Sequence, residues 1–256
     1  MTLGKARSSL VLRLHLSKTR AREGKVLIEG VRGVLDALAA GVQPDFAVLS
    51  PRGVELGGES LRETLASHGV EIVEVEDQDF DILAATETGQ GVLMVATEPA
   101  DASPGVAGAR RLLVLDAIQD PGNVGTLIRT AAALGADAVV ALDGTADPWS
   151  AKALRSAAGA AFRIPIARMS WEAFAEVWSG AVLVADAGGD AVEAGISTST
   201  GPWALALGSE GHGPRPELMA RADRVLSIPL AAGVESLNAG VAGAILLYAL
   251  LQQDTP

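Results

Sequence analysis

The stretch "IPLAAGVESLNAGVAGAILLYALL", Ile228 to Leu251, decides how the rest of the chain is read. From Ala239 onward it carries no charge, so a helix there is apolar on every side. Such a helix belongs in a core rather than on a surface. Its mouth nevertheless holds Glu235, Ser236 and Asn238. Ser and Asn commonly cap helix starts by accepting hydrogen bonds from free backbone N–H groups. A helix start is also a place where a ligand binds, because unpaired N–H groups face outward there. Both readings put polar side chains at this position, and the remaining sequence has to separate them.

Immediately upstream, "RVLSIPL" (224–230) reads as a strand, and so does "WALALG" (203–208) before it. The same alternation runs back to residue 111. The spacing predicts strands at 111–118, 137–143, 162–167 and 181–187, with helices over 124–135, 149–158 and 170–178. Continuous apolar strands separated by helices signify a mostly parallel sheet covered on both faces. Residues 98–110, "EPADASPGVAGAR", have no apolar period and read as a linker. Before it lies a smaller α/β run, with strands at 25–30, 46–50, 70–75 and 89–97 and helices at 31–41 and 61–69. The expected organisation is therefore a first domain over 1–97, a linker over 98–110 and a second domain over 111–256.

Composition narrows the function. A chain of 256 residues, 49% hydrophobic but only 4% aromatic, buries a core of small side chains. Without cysteine it has no disulfides, thiolate zinc sites or cysteine nucleophiles. The start lacks a signal-peptide core and the apolar C-terminal run is short for a bilayer, so a soluble cytoplasmic protein is expected. The net charge of −11 is unevenly spread. Residues 1–32 hold Lys5, Arg7, Arg13, Lys18, Arg20, Arg22, Lys25 and Arg32 against Glu23 and Glu29. A basic arm on an acidic body suits local phosphate binding, and a solvated helix face is the alternative.

Three polar clusters fall at the C-terminal ends of predicted strands, where open α/β sheets bind ligands. "DAIQDPGNVGTLIRTAAALGA" carries Asp120, Asn123 at a helix entrance, where the ordinary role is an N-cap, and Arg129 inside an otherwise apolar helix. Buried there, a lone Arg is costly unless paired or bound to an anion. "LALGSEGHGPRPEL" carries Glu210 in a turn whose glycines allow close approach to a ligand. The opening stretch is the third. No dinucleotide-binding or P-loop glycine pattern is present. His15, His68 and His212 are scattered, which leaves a histidine metal cluster or a Ser-His-Asp triad without a source.

Together, "NVGTLIRTAAALGA", "LALGSEGHG" and "IPLAAGVESLNAGVAGAILLYAL" resemble the three motifs of SpoU/TrmH-type RNA ribose 2′-O-methyltransferases, in the SPOUT superfamily. "KALRSAAGAAFRIPI" (152–166) resembles the segment these enzymes carry between the first two motifs. "EGKVLIEGVRGVLDALAAG" resembles their small ribosomal-protein-like substrate-binding domain. The resemblance implies a C-terminal α/β domain tied in a trefoil knot, with S-adenosylmethionine bound in the knot, no metal, and an obligate homodimer. It implies that backbone groups of Gly208, Ile228 and Leu237 hold the cofactor. Arg129, Glu210, Ser236 and Asn238 match the family's catalytic positions, with Asn123 in support. The implied substrate is ribosomal RNA. Transfer RNA is the runner-up, and a non-catalytic RNA-binding or ribosome-assembly factor on the same fold is the alternative from another class. On this reading, Ser236 and Asn238 stand at a helix start because cofactor and ribose meet there.

Overall fold

The structure is a computed structural model that describes residues 3–84, 89–192, 201–234 and 236–251; Glu235 lies outside them. The chain divides into two compact units. The first comprises residues up to Ala100 together with Trp149–Phe162; the second comprises Asp101–Pro148 and the residues from Arg163 onward. Residues 149–162, which the sequence pattern groups with the second domain, thus pack with the first.

The first unit has a four-stranded mixed sheet of β1 (Lys25–Glu29), β2 (Pro44–Leu49), β3 (Ile72–Glu74) and β4 (Val92–Thr97), ordered β1-β4-β2-β3. β4 runs antiparallel to β1 and β2, and β2 and β3 are parallel. The expected helices appear as α3 (Val31–Ala39) and α4 (Pro51–Ser67), the latter broken at Gly58. Three further helices arise where no apolar period is visible: α1 (Lys5–Leu14), α2 (Ser17–Glu23) and α5 (Asp77–Leu83). Each contributes few apolar anchors. Leu3, Val11, Leu14, Phe80 and Leu83 pack with Leu27, Val48, Leu93 and Val95 into one core.

The basic opening is therefore folded and is not an extended arm. Arg20 is 3% exposed and donates to the carbonyls of Leu14 at 2.7 Å and His15 at 3.0 Å. Arg7 forms a two-pronged pair with Glu71 at 2.6 and 2.7 Å, and its guanidinium lies over the Phe46 ring. That pairing holds the Glu71 carboxyl below its ordinary range. α7 (Ala151–Ala157) joins this unit, and Arg155 reaches the buried carboxylate of Glu29 at 3.1 Å.

The second unit has a six-stranded sheet. Its strands are β5 (Arg111–Leu115), β6 (Ala138–Leu142), β7 (Ile166–Met169), β8 (Ala181–Ala191), β9 (Trp203–Leu207) and β10 (Arg224–Ser227). The order is β10-β8-β9-β5-β6-β7, with every pair parallel. This is the parallel sheet that the apolar runs predict. Alternate residues Leu112, Val114, Val140, Val184 and Ala206 pack on Phe174 and Trp178 of the segment around α8 (Trp171–Val177) and on Leu218 of α9 (Pro216–Ala220).

The opposite face takes α6 (Pro121–Leu134) and α10 (Ala239–Leu251), which pack on one another. A Cβ at Gly243 would run into Leu127 of α6 and Leu207 of β9, so glycine lets α10 lie close to both. The all-round apolar character of α10 does not bury it completely. Val241, Ile245 and Tyr248 are exposed, 48%, 41% and 56%, at the spacing of a single stripe. No helix among the described residues is long and apolar enough to cross a membrane.

Candidate active site

β5, β9 and β10 deliver three polar segments to the C-terminal edge of the second sheet, as open parallel sheets do. The first follows β5. Asp120, and not Asn123, caps α6: its Oδ1 accepts the N–H of Gly122 at 3.1 Å. Asn123 sits inside the first turn, and its side chain is spent on other partners. Its Nδ2 donates to Glu210 Oε1 at 2.7 Å, and its Oδ1 accepts from Asn238 Nδ2 at 2.9 Å.

Asn238 does two jobs at once. Its Oδ1 accepts the N–H of Val241 at 3.2 Å, which caps α10, while its amide nitrogen reaches Asn123. Capping and site-building are thus one arrangement, and the chain Asn238–Asn123–Glu210 links all three polar segments. Ser236 is exposed and lines the adjoining cavity.

The second segment is a tight turn after β9. Ser209 and Gly213 exchange backbone hydrogen bonds at 3.1 and 2.9 Å, with Gly213 at φ +69°. Glu210 rides at its tip. A Cβ at Gly208 would overlap the backbone of Gly213 and Pro214, so only glycine lets the chain fold back this closely. The far end of the turn is anchored by a residue that the sequence reading did not single out. Asp116, 1% exposed at the end of β5, accepts from Arg215 N and Arg215 Nε, both at 2.7 Å. Arg215 also donates to the carbonyl of Asp143 at 2.9 Å. The available signal was an acidic residue ending an otherwise apolar strand, "RLLVLDAI".

These segments enclose a cavity of about 260 Å³. Gly208, Ile228 and Leu237 all line it, together with Leu207, Leu226 and Leu246 as apolar wall. Its ionisable lining consists of Asp186 and Glu210, with no Lys, Arg or His among the described lining residues. Arg129 is not part of this lining. It is exposed on α6 and makes no hydrogen bond or ion pair with a described residue. The desolvation cost that a buried arginine would carry therefore does not arise. No group of His, Asp or Glu able to hold a metal occurs among the described residues.

Comparison with known proteins gives a consistent set of likenesses. Residues 110–248 match the SpoU rRNA Methylase family, and residues 10–94 match an MRM3-like substrate binding domain. A Bacillus subtilis protein named 23S rRNA (guanosine(2553)-2′-O)-methyltransferase RlmP is 36% identical over 244 residues, 93% of either chain. A Sinorhizobium meliloti rRNA methyltransferase, solved with AdoMet bound, superposes with a TM-score of 0.85 at 26% identity, over 100% of this chain and 97% of that one. The SpoU methyltransferase AviRb of Streptomyces viridochromogenes, also solved with AdoMet, gives 0.85 at 26% identity over 98% of both.

Proposed function

The chain belongs to the SpoU rRNA methylase family, and we propose that it methylates a ribose 2′-hydroxyl of large-subunit ribosomal RNA. It is an S-adenosylmethionine-dependent RNA methyltransferase. The observation that carries this reading is the cavity at the start of α10, flanked by the hydrogen-bonded chain Asn238–Asn123–Glu210. The residues present fit the cofactor. Leucine and isoleucine walls suit a flat base, and two carboxylates without a cation suit a positively charged ligand.

Bound there, S-adenosylmethionine supplies an electrophilic methyl group. Backbone groups of Gly208, Ile228 and Leu237 hold it, and Ser236 meets it at the cavity mouth. Most of the rate gain comes from positioning the two reactants. Asn123 orients Glu210 through Oε1 and leaves Oε2 without a donor among the described residues. Arg129 clamps RNA phosphate and the attacking hydroxyl. A guanidinium stays protonated at neutral pH, so it is a poor base but a good stabiliser of a developing alkoxide.

Arg129 stands outside its own chain's cavity, and α10 leaves Val241, Ile245 and Tyr248 uncovered beside α6. Both features support a homodimer in which a second copy covers this face. The protein is expected to sediment at twice its chain mass, and Ile245→Glu, which puts a charge in that stripe, is expected to give inactive monomers. A stable, active wild-type monomer at micromolar concentration would contradict the dimer. The reading includes a trefoil knot, supported by the return of α10 from the edge strand β10 to α6 and the interior strand β9. It also places the enzyme in the cytoplasm with its ribosomal substrate.

The first unit is the RNA-binding domain, supported by its match to a substrate-binding family. Its exposed cations Lys5, Arg13 and Lys18 supply phosphate contacts, whereas Arg7 and Arg20 are engaged in holding the fold. Each phosphate contact releases counterions on binding. Neutralising Lys5, Arg13 and Lys18 is expected to lower the log–log salt slope of RNA binding by about 2 while cofactor affinity holds. A preserved slope would reduce these cations to a solvated face. The activity itself is tested by mapping 2′-O-methylation on total RNA incubated with the protein and labelled cofactor. Label on transfer RNA alone, or no label, would overturn the assignment.

A further inference from the structure

Asp186 is the one ionisable group of the cavity's described lining that the transfer machinery leaves unused. It stands on β8, where its Oδ1 accepts the N–H of Gly188 at 2.9 Å. That bond fixes the carboxylate without cancelling its charge, and Oδ2 takes no hydrogen bond from a described residue. Oδ2 lies against the glycine turn, 3.7 Å from where a Cβ on Gly213 would stand. The other carboxylate, Glu210, is committed through Oε1 to Asn123. Leu207, Leu226, Ile228 and Leu246 line the same space, and apolar walls strengthen the attraction between a fixed charge and a ligand charge.

A cavity with this charge distinguishes the methyl donor from what remains after transfer. The donor is a sulfonium cation. The spent product is a neutral thioether that keeps the same base, ribose, ammonium and carboxylate. A carboxylate acting on the sulfur favours the donor alone, whereas one acting on a hydroxyl or on the ammonium favours both alike. We propose that Asp186 is a charge selector that makes this cavity prefer S-adenosylmethionine over S-adenosylhomocysteine, and so speeds exchange after each turnover. The proposal rests on the reading of the cavity as the cofactor site.

Titration calorimetry of the full chain with each of the two compounds, on wild type and Asp186→Asn, tests it. Asparagine keeps an oxygen for the Gly188 N–H and nearly the same volume, so only the charge changes. The expected result is about tenfold weaker binding of S-adenosylmethionine and less than about twofold change for S-adenosylhomocysteine. Asp186→Glu, which restores the charge, is expected to recover most of the preference. Equal losses for both compounds, or no loss for either, overturn the selector while leaving the cofactor site standing. Failure of the wild type to bind either compound overturns the cofactor site and the selector together. If Asp186→Asn does not fold, the wild type alone decides: added salt must weaken S-adenosylmethionine binding more steeply than S-adenosylhomocysteine binding. Equal salt dependences overturn the proposal.

Discussion

Arg129→Ala is expected to lower methyl transfer by roughly two to three orders of magnitude, the loss typical of removing one donor to a developing oxyanion. Cofactor affinity should stay within a few-fold, because Arg129 does not line the cavity. Folding should be intact as well. The side chain is exposed and carries no hydrogen bond within the described chain, so its removal leaves no buried group unpaired. This combination is diagnostic: a folded protein that binds its cofactor normally and does not transfer. Single-turnover transfer together with calorimetry reads both halves. Arg129→Lys should also fail substantially, since an ammonium lacks the planar fork that bridges phosphate and hydroxyl. Normal turnover in either variant would remove Arg129 from the mechanism.

Asp116→Ala is expected to destabilise the second unit by about 3 kcal/mol, the low end of the cost of breaking a buried ion pair. Asp116 is 1% exposed and receives two bonds from Arg215 at 2.7 Å. Without it the Arg215 guanidinium, 23% exposed, keeps the Asp143 carbonyl but loses its counter-charge. For a unit of this size the loss corresponds to a thermal midpoint about 6–12 °C lower. Since Arg215 closes the turn that carries Glu210, Gly213 and Pro214, cofactor affinity should fall along with stability. That pairing of losses separates Asp116 from Arg129. A midpoint unchanged within about 2 °C, well under that expected fall, would show that the pair contributes nothing to the fold.

The site was legible in part. Asn123, Glu210 and Asn238 are three short polar interruptions in apolar sequence, and the structure brings them into one hydrogen-bonded chain. Their roles were less legible than their positions. Asn123 looked like a helix cap because it stands at a helix entrance, yet Asp120 holds that position. Asp116 escaped notice because its importance lies in a partner 99 residues away.

What the sequence by itself determined was local. Apolar runs such as "RLLVLDAI" and "WALAL" specify buried strands, and the helices between them force a parallel sheet, because both signals are carried by neighbouring residues. Short helices such as α5, held by little more than Phe80 and Leu83, carry too few apolar residues for a period to register. Tertiary structure alone decided which strands are neighbours, placing β9 between β8 and β5, since parallel pairing joins residues far apart in the chain. It decided that residues 149–162 pack with the first unit, which a helical pattern does not encode. It also decided which face of the uniformly apolar α10 stays uncovered. Burial is a property of the surface a side chain meets, and a helix apolar all round records no preference among its faces.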